Sequence, residues 1–225
     1  MTSPFTSILF DLDGTIVDSA PGITKTLAYT FEELGRPVPS PAELLAYVGP
    51  PILDSFRDRA GMSLGEAAEA LAIYRPRYLE MGAFDSTLFP GIAEVVRAVR
   101  AAGIPMSLAT SKPETPATLM LSHFGLLDSF DVVTGASDDE VRSSKEDVVA
   151  EALRRLVALG ADVSNTVHVG DRKHDVEGAA ANGVPTIFSD WGYGSAEEQA
   201  GSLAVAHSPA ELHSLLLGHL LLPGA

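Results

Sequence analysis

Two aspartates separated by one leucine, Asp11 and Asp13, close the apolar run Ile8-Leu9-Phe10 and are followed by Gly14-Thr15. On extended backbone, side chains two apart point to the same side, so the two carboxylates share a face and Leu12 turns away. Carboxylates held that close repel, and either a divalent cation or a proton on one of them relieves the repulsion. A strand running into an Asp-Gly turn with capping residues behind it has the same letters. Other polar residues decide between these readings. Thr110-Ser111 follow a second apolar run, Lys145 opens a helical pattern, Gly170-Asp171 end a further apolar run, and Asp175 stands four residues on. Each has an ordinary explanation alone: a helix cap at Thr110, a solvated lysine at Lys145, a turn at Gly170-Asp171, a first-turn acid favoured by the helix dipole at Asp175. Their joint occurrence in this order, each at a strand end or helix start, argues for one shared site.

The elements that must position them follow from periodicity. Ser7–Asp11 reads as a short strand buried on both faces, the kind found in parallel sheets, where ligands lie beyond the carboxyl ends. After Ser19 the apolar residues Ile23, Leu27, Phe31 and Leu34 recur at helical spacing, and Gly35 and Pro37 end that helix. Further helical patterns run from Pro41 through Val48, over Ile52–Arg59, and over Leu64–Leu79, with no strand expected between Ile16 and Phe89. From Pro90-Gly91 onward, helices near 92–99, 114–123, 146–159 and 176–182 alternate with apolar runs at 105–109, 130–134, 166–170 and 184–188. That alternation predicts right-handed βαβ units. The expected architecture is α/β, a Rossmann-like parallel sheet core of residues 1–17 and 88–225, with an α-helical cap inserted at 18–87. The leucine-rich stretch Leu212–Leu222 reads as a helix packed on the core.

Composition bounds the partners. The 225 residues are 46% hydrophobic and 20% charged, an ordinary globular balance, with a formal net charge of −15. So acidic a surface repels nucleic-acid backbones, yet a bound cation and a few local lysines still admit a small phosphorylated molecule. With no cysteine, disulfides, thiolate metal sites and cysteine nucleophiles are excluded. No basic-then-apolar leader opens the chain and no apolar run approaches about 18 residues, so a cytoplasmic protein without a membrane partner is expected. No histidine spacing suggests zinc.

Asp11-Leu12-Asp13-Gly14-Thr15, Thr110-Ser111-Lys112, Lys145, Gly170-Asp171-Arg172-Lys173-His174-Asp175 and the helical insertion after the first strand together resemble the haloacid dehalogenase-like hydrolase superfamily over nearly the whole chain. The resemblance implies that Asp11 is the nucleophile taking a phosphoryl group and Asp13 the general acid and base. It implies that Thr110 and Lys145 hold phosphate oxygens, with Ser111 beside them. It also implies that Asp11, the main-chain carbonyl of Asp13, and Asp171 bind Mg²⁺, with Asp175 supporting Lys145 or the metal's waters. Dehalogenating members lack the second aspartate and phosphonate-cleaving members have another residue there, so Asp13 favours phosphomonoester chemistry. Mutase members typically have a Gly-Val-Ser-Arg-like cap stretch where this chain has Val48-Gly49-Pro50-Pro51-Ile52. That turn and Trp191-Gly192-Tyr193-Gly194-Ser195 look like the phosphoglycolate phosphatase group. The implied activity is hydrolysis of a small phosphorylated metabolite through an aspartyl phosphate. A 5′-nucleotidase and a sugar-phosphate phosphotransferase or mutase are the alternatives. A non-catalytic binding module is disfavoured by the presence of Asp11, Asp13, Thr110, Lys145 and Asp171. The sequence sets no oligomeric state.

Around the expected cap, Gly49-Pro50-Pro51 is either a rigid substrate-facing loop or a helix–helix turn. Tyr74 and Tyr78, four apart, fit a packed helix face better than a substrate contact, and Arg57 and Arg75 fit a solvated surface. Asp18 fits a helix cap. Ile16–Ser19 and Phe89-Pro90-Gly91 are hinge candidates. His168 reads as a sheet histidine, and His174 as a turn residue of little catalytic promise. Trp191–Ser195, placed after the last expected strand, is a glycine-rich turn or a rim of the site.

Overall fold

The computed structural model of the chain describes residues 3–137 and 142–218. The chain divides into two compact units, residues 1–17 with 88–225, and residues 18–87.

The larger unit is built on six parallel strands in the order β5-β4-β1-β6-β7-β8: β1 Ser7–Phe10, β4 Met106–Pro113, β5 Val132–Ala136, β6 Thr166–Gly170, β7 Thr186–Ser189 and β8 Ala204–Ala206. β1 lies between β4 and β6, with Phe10 beside Leu108 on one side and Val169 on the other. Every residue of β1 and β6 is buried, which is why both read as unbroken runs rather than alternating ones. Helices α5 Ile92–Ala101, α6 Glu114–His123, α7 Lys145–Ala158 and α8 Lys173–Ala181 make the crossovers, and α9 Pro209–Leu216 closes the unit. Ser144 caps α7 by accepting from the Asp147 N–H. Val148, Val149, Ala152 and Leu156 of α7 pack with Leu9, Ala109 and Ala179 in a fully buried cluster.

The smaller unit holds α1 Ala20–Glu33, α2 Pro41–Leu45, α3 Ile52–Asp58 and α4 Leu64–Glu80. Its helix starts are encoded locally. Pro21 sits in the first turn of α1, and Ser40 with Glu43, and Ser63 with Glu66, form reciprocal capping boxes. Phe56 is fully buried, and the rings of Phe31, Tyr47 and Tyr74 stand 6.1, 6.3 and 6.3 Å from it. Tyr74 and Tyr78 stack at 5.5 Å as a packed helix face. The chain passes between units along β2 Val17–Asp18 and β3 Thr87–Leu88, which pair with each other.

Several expectations need correction. β2 and β3 lie where no strand was expected; each is two residues long, too short to show a period. β8 was also missed, so Trp191–Ser195 precedes the last strand rather than following it. β4 continues through Thr110-Ser111-Lys112 instead of ending at Ala109, because pairing with β5 resumes at Pro113. α8 starts at Lys173, three residues before the apolar pattern, and takes in His174. α9 packs Leu212, Leu215 and Leu216 inward, while residues 219–222 of the expected helix lie outside the described residues. No helix among the described residues is long and apolar enough to cross a membrane.

Candidate active site

The polar residues singled out in the larger unit stand at the carboxyl ends of β1, β4 and β6 and at the start of α7. After Asp11, whose N–H donates to the Val169 carbonyl at 2.8 Å, the chain folds into a tight loop. The Leu12 carbonyl accepts from the N–H groups of Thr15, Ile16 and Val17, and the Gly14 N–H donates to Val17. Gly14 has φ +88°, and a Cβ there would lie 2.2 Å from Asp171 Oδ2. The glycine is needed both for the turn and for the close approach of Asp171.

Lys145, the first residue of α7, is buried; it donates to Asp11 and to the Ala109 carbonyl and forms an ion pair with Asp175. Nζ lies 2.7 Å from Asp11 Oδ1, 2.7 Å from Asp175 Oδ1 and 2.9 Å from the Ala109 carbonyl. The other Asp175 oxygen accepts from the N–H groups of Asp171 and Arg172 at 3.1 and 2.9 Å, reaching back over the start of α8. Asp175 therefore ties the β6–α8 turn to Lys145, and Lys145 ties α7 to Asp11. Glycines allow this packing: a Cβ on Gly170 would meet Asp175 Cγ at 2.5 Å, and one on Gly178 would meet Lys145 Cβ at 2.7 Å.

Asp171 is completely buried. Its Oδ1 accepts from the Thr15 hydroxyl at 3.3 Å and its Oδ2 from the Tyr193 N–H at 2.7 Å. The segment 191–195 wraps this carboxylate. Trp191 Nε1 donates to the Thr15 carbonyl at 3.0 Å, and a Cβ on Gly194 would lie 1.9 Å from the Asp171 carbonyl oxygen. Arg172 Nε and the Lys173 N–H both donate to Glu198 Oε2 at 2.9 Å, which braces the same turn from outside.

On β4, four residue steps from Ala109 to Pro113 face two steps on β5, from Thr134 to Ala136, so Thr110–Lys112 bulge out of the ladder. Gly135 makes room, since a Cβ there would lie 2.4 Å from the Lys112 carbonyl. Thr110 and Ser111 are buried, and the Ser111 hydroxyl has no hydrogen-bond partner among the described residues. Lys112 Nζ stands 3.0 and 2.8 Å from the two oxygens of Asp13. The two aspartates of the opening stretch thus belong to different lysines, Asp11 to Lys145 and Asp13 to Lys112. The sequence assigned no partner to Lys112, Thr15, Tyr193 or Glu198, although the first three stand in the motifs Thr-Ser-Lys, Asp-Leu-Asp-Gly-Thr and Trp-Gly-Tyr-Gly-Ser; Glu198 carried no signal.

The electrostatics follow from burial. Burial pushes the Asp11 carboxyl from its ordinary 3.8 up to about 6; Lys145 pulls it down, while Asp175 and Asp13 add repulsion. Asp171 is held well above the usual range, first by burial and then by Asp175 and Asp11, against the Tyr193 N–H and Arg172. Asp175 goes the other way: burial opposes its charge, yet Lys145 holds it below the carboxylate range. For Lys145 burial disfavours the charge, but Asp11 and Asp175 outweigh it and raise the pKa. Burial lowers His168 to about 4 and leaves it neutral.

Asp11, Asp171 and Asp175 each offer an oxygen within 4.8 Å of the others. An all-carboxylate donor set suits a hard divalent cation. The raised pKa values of Asp11 and Asp171 mark the charge such a cation would neutralise. One Asp175 oxygen is held by the Lys145 ammonium, whereas the Asp171 oxygens meet a hydroxyl and a main-chain N–H, both neutral, so Asp171 is the better placed of the two to meet a cation beside Asp11. Gly49, at φ +106°, and Pro50 lie in the other unit, in the turn between α2 and α3.

A parallel α/β sheet with buried acids and lysines gathered at its carboxyl edge, and a helical insertion after its first strand, defines a hydrolase class built around an aspartate pair. Residues 8–189 match the haloacid dehalogenase-like hydrolase family, and the chain belongs to it. It is 42% identical over 204 residues to "Tyrosine-protein kinase PtkA" of Mycobacterium tuberculosis, covering 89% of this chain and 68% of that one. It is 34% identical over 194 residues to a "5′-nucleotidase" of Pseudomonas aeruginosa, covering 86% of each chain. It is 32% identical over 193 residues to a "Phosphoglycolate phosphatase" of Pseudomonas syringae, covering 83% and 70%. The crystal structure of a predicted phosphatase from Clostridium acetobutylicum superposes with a TM-score of 0.88 at 34% identity, covering 95% of this chain and 99% of that one. The protein is an enzyme of this hydrolase family, with phosphatases among its homologues.

Proposed function

We propose that this enzyme is a Mg²⁺-dependent phosphatase that hydrolyses a small phosphomonoester through an aspartyl phosphate at Asp11, with phosphoglycolate-like esters as the leading substrate class. The observation that carries the reading is the buried cluster of Asp11, Asp171 and Lys145, with Lys145 Nζ 2.7 Å from Asp11 and the Asp11 and Asp171 oxygens within 4.8 Å of each other, while Thr110 and Ser111 lie buried on the neighbouring strand β4. Asp11 Oδ attacks phosphorus and the bond to the leaving oxygen breaks, while Asp13 gives that oxygen its proton. Water then attacks the phosphoryl group, Asp13 takes the proton back, and the Asp11–phosphorus bond breaks to release phosphate. A Mg²⁺ ion held by Asp11, Asp171 and the Asp13 carbonyl supplies positive charge that lets a carboxylate approach a phosphate dianion. Lys145 holds Asp11 in place and adds charge for the phosphoryl oxygens. Thr110 and the unpartnered Ser111 hydroxyl donate to those oxygens without adding charge. Gly49 and Pro50 are proposed to contact the rest of the substrate.

Two relatives motivate other substrates for the same Asp11 chemistry. The 5′-nucleotidase, similar over 86% of both chains, favours a nucleoside monophosphate, and the tyrosine kinase favours phosphoryl transfer to a protein tyrosine. One panel tests all three. Purified protein with Mg²⁺ is assayed for phosphate release from p-nitrophenyl phosphate, phosphoglycolate and nucleoside monophosphates, and for labelling of tyrosine peptides from ATP. The reading predicts Mg²⁺-dependent release, greatest on a small carboxylated ester and abolished in Asp11→Asn. No turnover across the panel overturns it. Hexose phosphates isomerised faster than phosphate is released would mark a mutase instead.

A further inference from the structure

We infer that Lys112 is a positioning residue for Asp13, fixing that carboxyl where a leaving oxygen meets it; the inference rests on the proposed acid–base role of Asp13. Lys112 Nζ lies 3.0 Å from Asp13 Oδ1 and 2.8 Å from Oδ2, and the two side chains are only 6% and 8% exposed. A buried ammonium contacting both oxygens of a carboxylate restricts its rotation, which one hydrogen bond would not do. Lys145 does not serve here, because its ammonium is held between Asp11, Asp175 and the Ala109 carbonyl.

The backbone is shaped to deliver Lys112. The bulge between Ala109 and Pro113 inserts two extra residues into β4, and Gly135 lets the Lys112 carbonyl pack where any side chain would collide. Removing the ammonium leaves Asp13 buried without its cation and free to turn. Proton transfer requires the acid within hydrogen-bond reach of the leaving oxygen, so a displaced Asp13 fails in that step while Asp11 still attacks.

This separates a positioning role from a structural one by leaving group. An alkyl phosphate needs a proton on its departing oxygen, whereas p-nitrophenolate departs without one. Lys112→Met should lower kcat/KM, which reports transfer to Asp11 ahead of the hydrolysis shared by all substrates, by about tenfold or more for an alkyl phosphate and leave that for p-nitrophenyl phosphate within about threefold. Lys112→Arg, which keeps the cation, should retain most of the alkyl-phosphate rate, and adding Lys112→Met to Asp13→Asn should cause no further loss. Should Lys112→Met fail to fold, Lys112→Gln, nearer in polarity, carries the same comparison. Equal losses of kcat/KM on both substrates, or additive losses in the double variant, overturn the inference. Asp13→Asn alone, run beside it, tests the underlying reading. If that variant shows no leaving-group dependence, the acid assignment fails; if it does and Lys112→Met does not, only the role of Lys112 fails.

Discussion

Asp175 and Lys145 form a buried ion pair at 2.7 Å, and through it the β6–α8 turn is joined to the side chain that holds Asp11. Neither group has solvent to fall back on, and the pair works only with all its partners in place. Asp175→Ala leaves Lys145 with one carboxylate and uncaps the N–H groups of Asp171 and Arg172. Breaking a buried pair from one side costs on the order of 3–5 kcal/mol. Urea unfolding should report a loss of that size; a change within experimental error would show that the turn is held by other contacts.

The 191–195 segment sets the orientation of Asp171. Gly194→Ala drives a Cβ into the Asp171 carbonyl, so the segment must move and the Tyr193 N–H withdraws from Oδ2. Partners that orient a metal ligand are typically worth about 10–100-fold in metal affinity or activity. The Mg²⁺ concentration for half-maximal activity should rise into that range, with little change in thermal stability at saturating Mg²⁺. An unchanged Mg²⁺ titration would count against the cation site.

The raised Asp11 and Asp171 carboxyls make cation binding pH-dependent. The folded state binds the Asp11 proton more tightly than the unfolded chain does, since the pKa rises from 3.8 to about 6. Its contribution to the stability of the metal-free protein is therefore present below about pH 4 and is lost as pH rises through about 6. A cation competes for the same oxygens, so Mg²⁺ should raise Tm more at pH 8 than at pH 5. Asp175 is held low and Lys145 high, so both stay charged across that window. An equal or reversed Mg²⁺ increment at the two pH values would contradict the assignment.

In the smaller unit, Phe56 is the hub of the aromatic cluster, with Phe31, Tyr47 and Tyr74 edge-on around it. Phe56→Ala opens a cavity there at a cost of about 3–5 kcal/mol. Hydrogen exchange should quicken across residues 18–87, while the amides of β1 and β6 keep their protection. Uniform acceleration through both units would instead mean that they unfold together.

Much of this arrangement is local and readable in the chain. The β6 range Thr166–Gly170 and the start of β1 at Ser7 follow from apolar runs bounded by turn residues, and α2 and α4 start at serine caps that act on residues three positions away. β2, β3 and β8 left no pattern, because two- or three-residue strands are defined by their partners. α8 begins before its apolar residues because Asp175, in its first turn, reaches back to accept from the N–H groups of Asp171 and Arg172 just ahead of the helix, a matter of hydrogen bonding rather than of period.

The sequence by itself determined which residue types stand at the carboxyl edge of the sheet: the Asp11–Asp13 pair, Thr110, Lys145, Asp171 and Asp175. Only the tertiary structure decided how they are shared. Which lysine faces which aspartate, and which loop grips Asp171, depends on a bulge in β4 and on glycines at 14, 135, 170, 178 and 194 where other chain segments come within a Cβ's radius. Spacing along a strand sets the side a carboxylate faces. Its partner is set by whichever charge the fold buries beside it, here at sequence separations of 99 residues for Lys112 and 134 for Lys145.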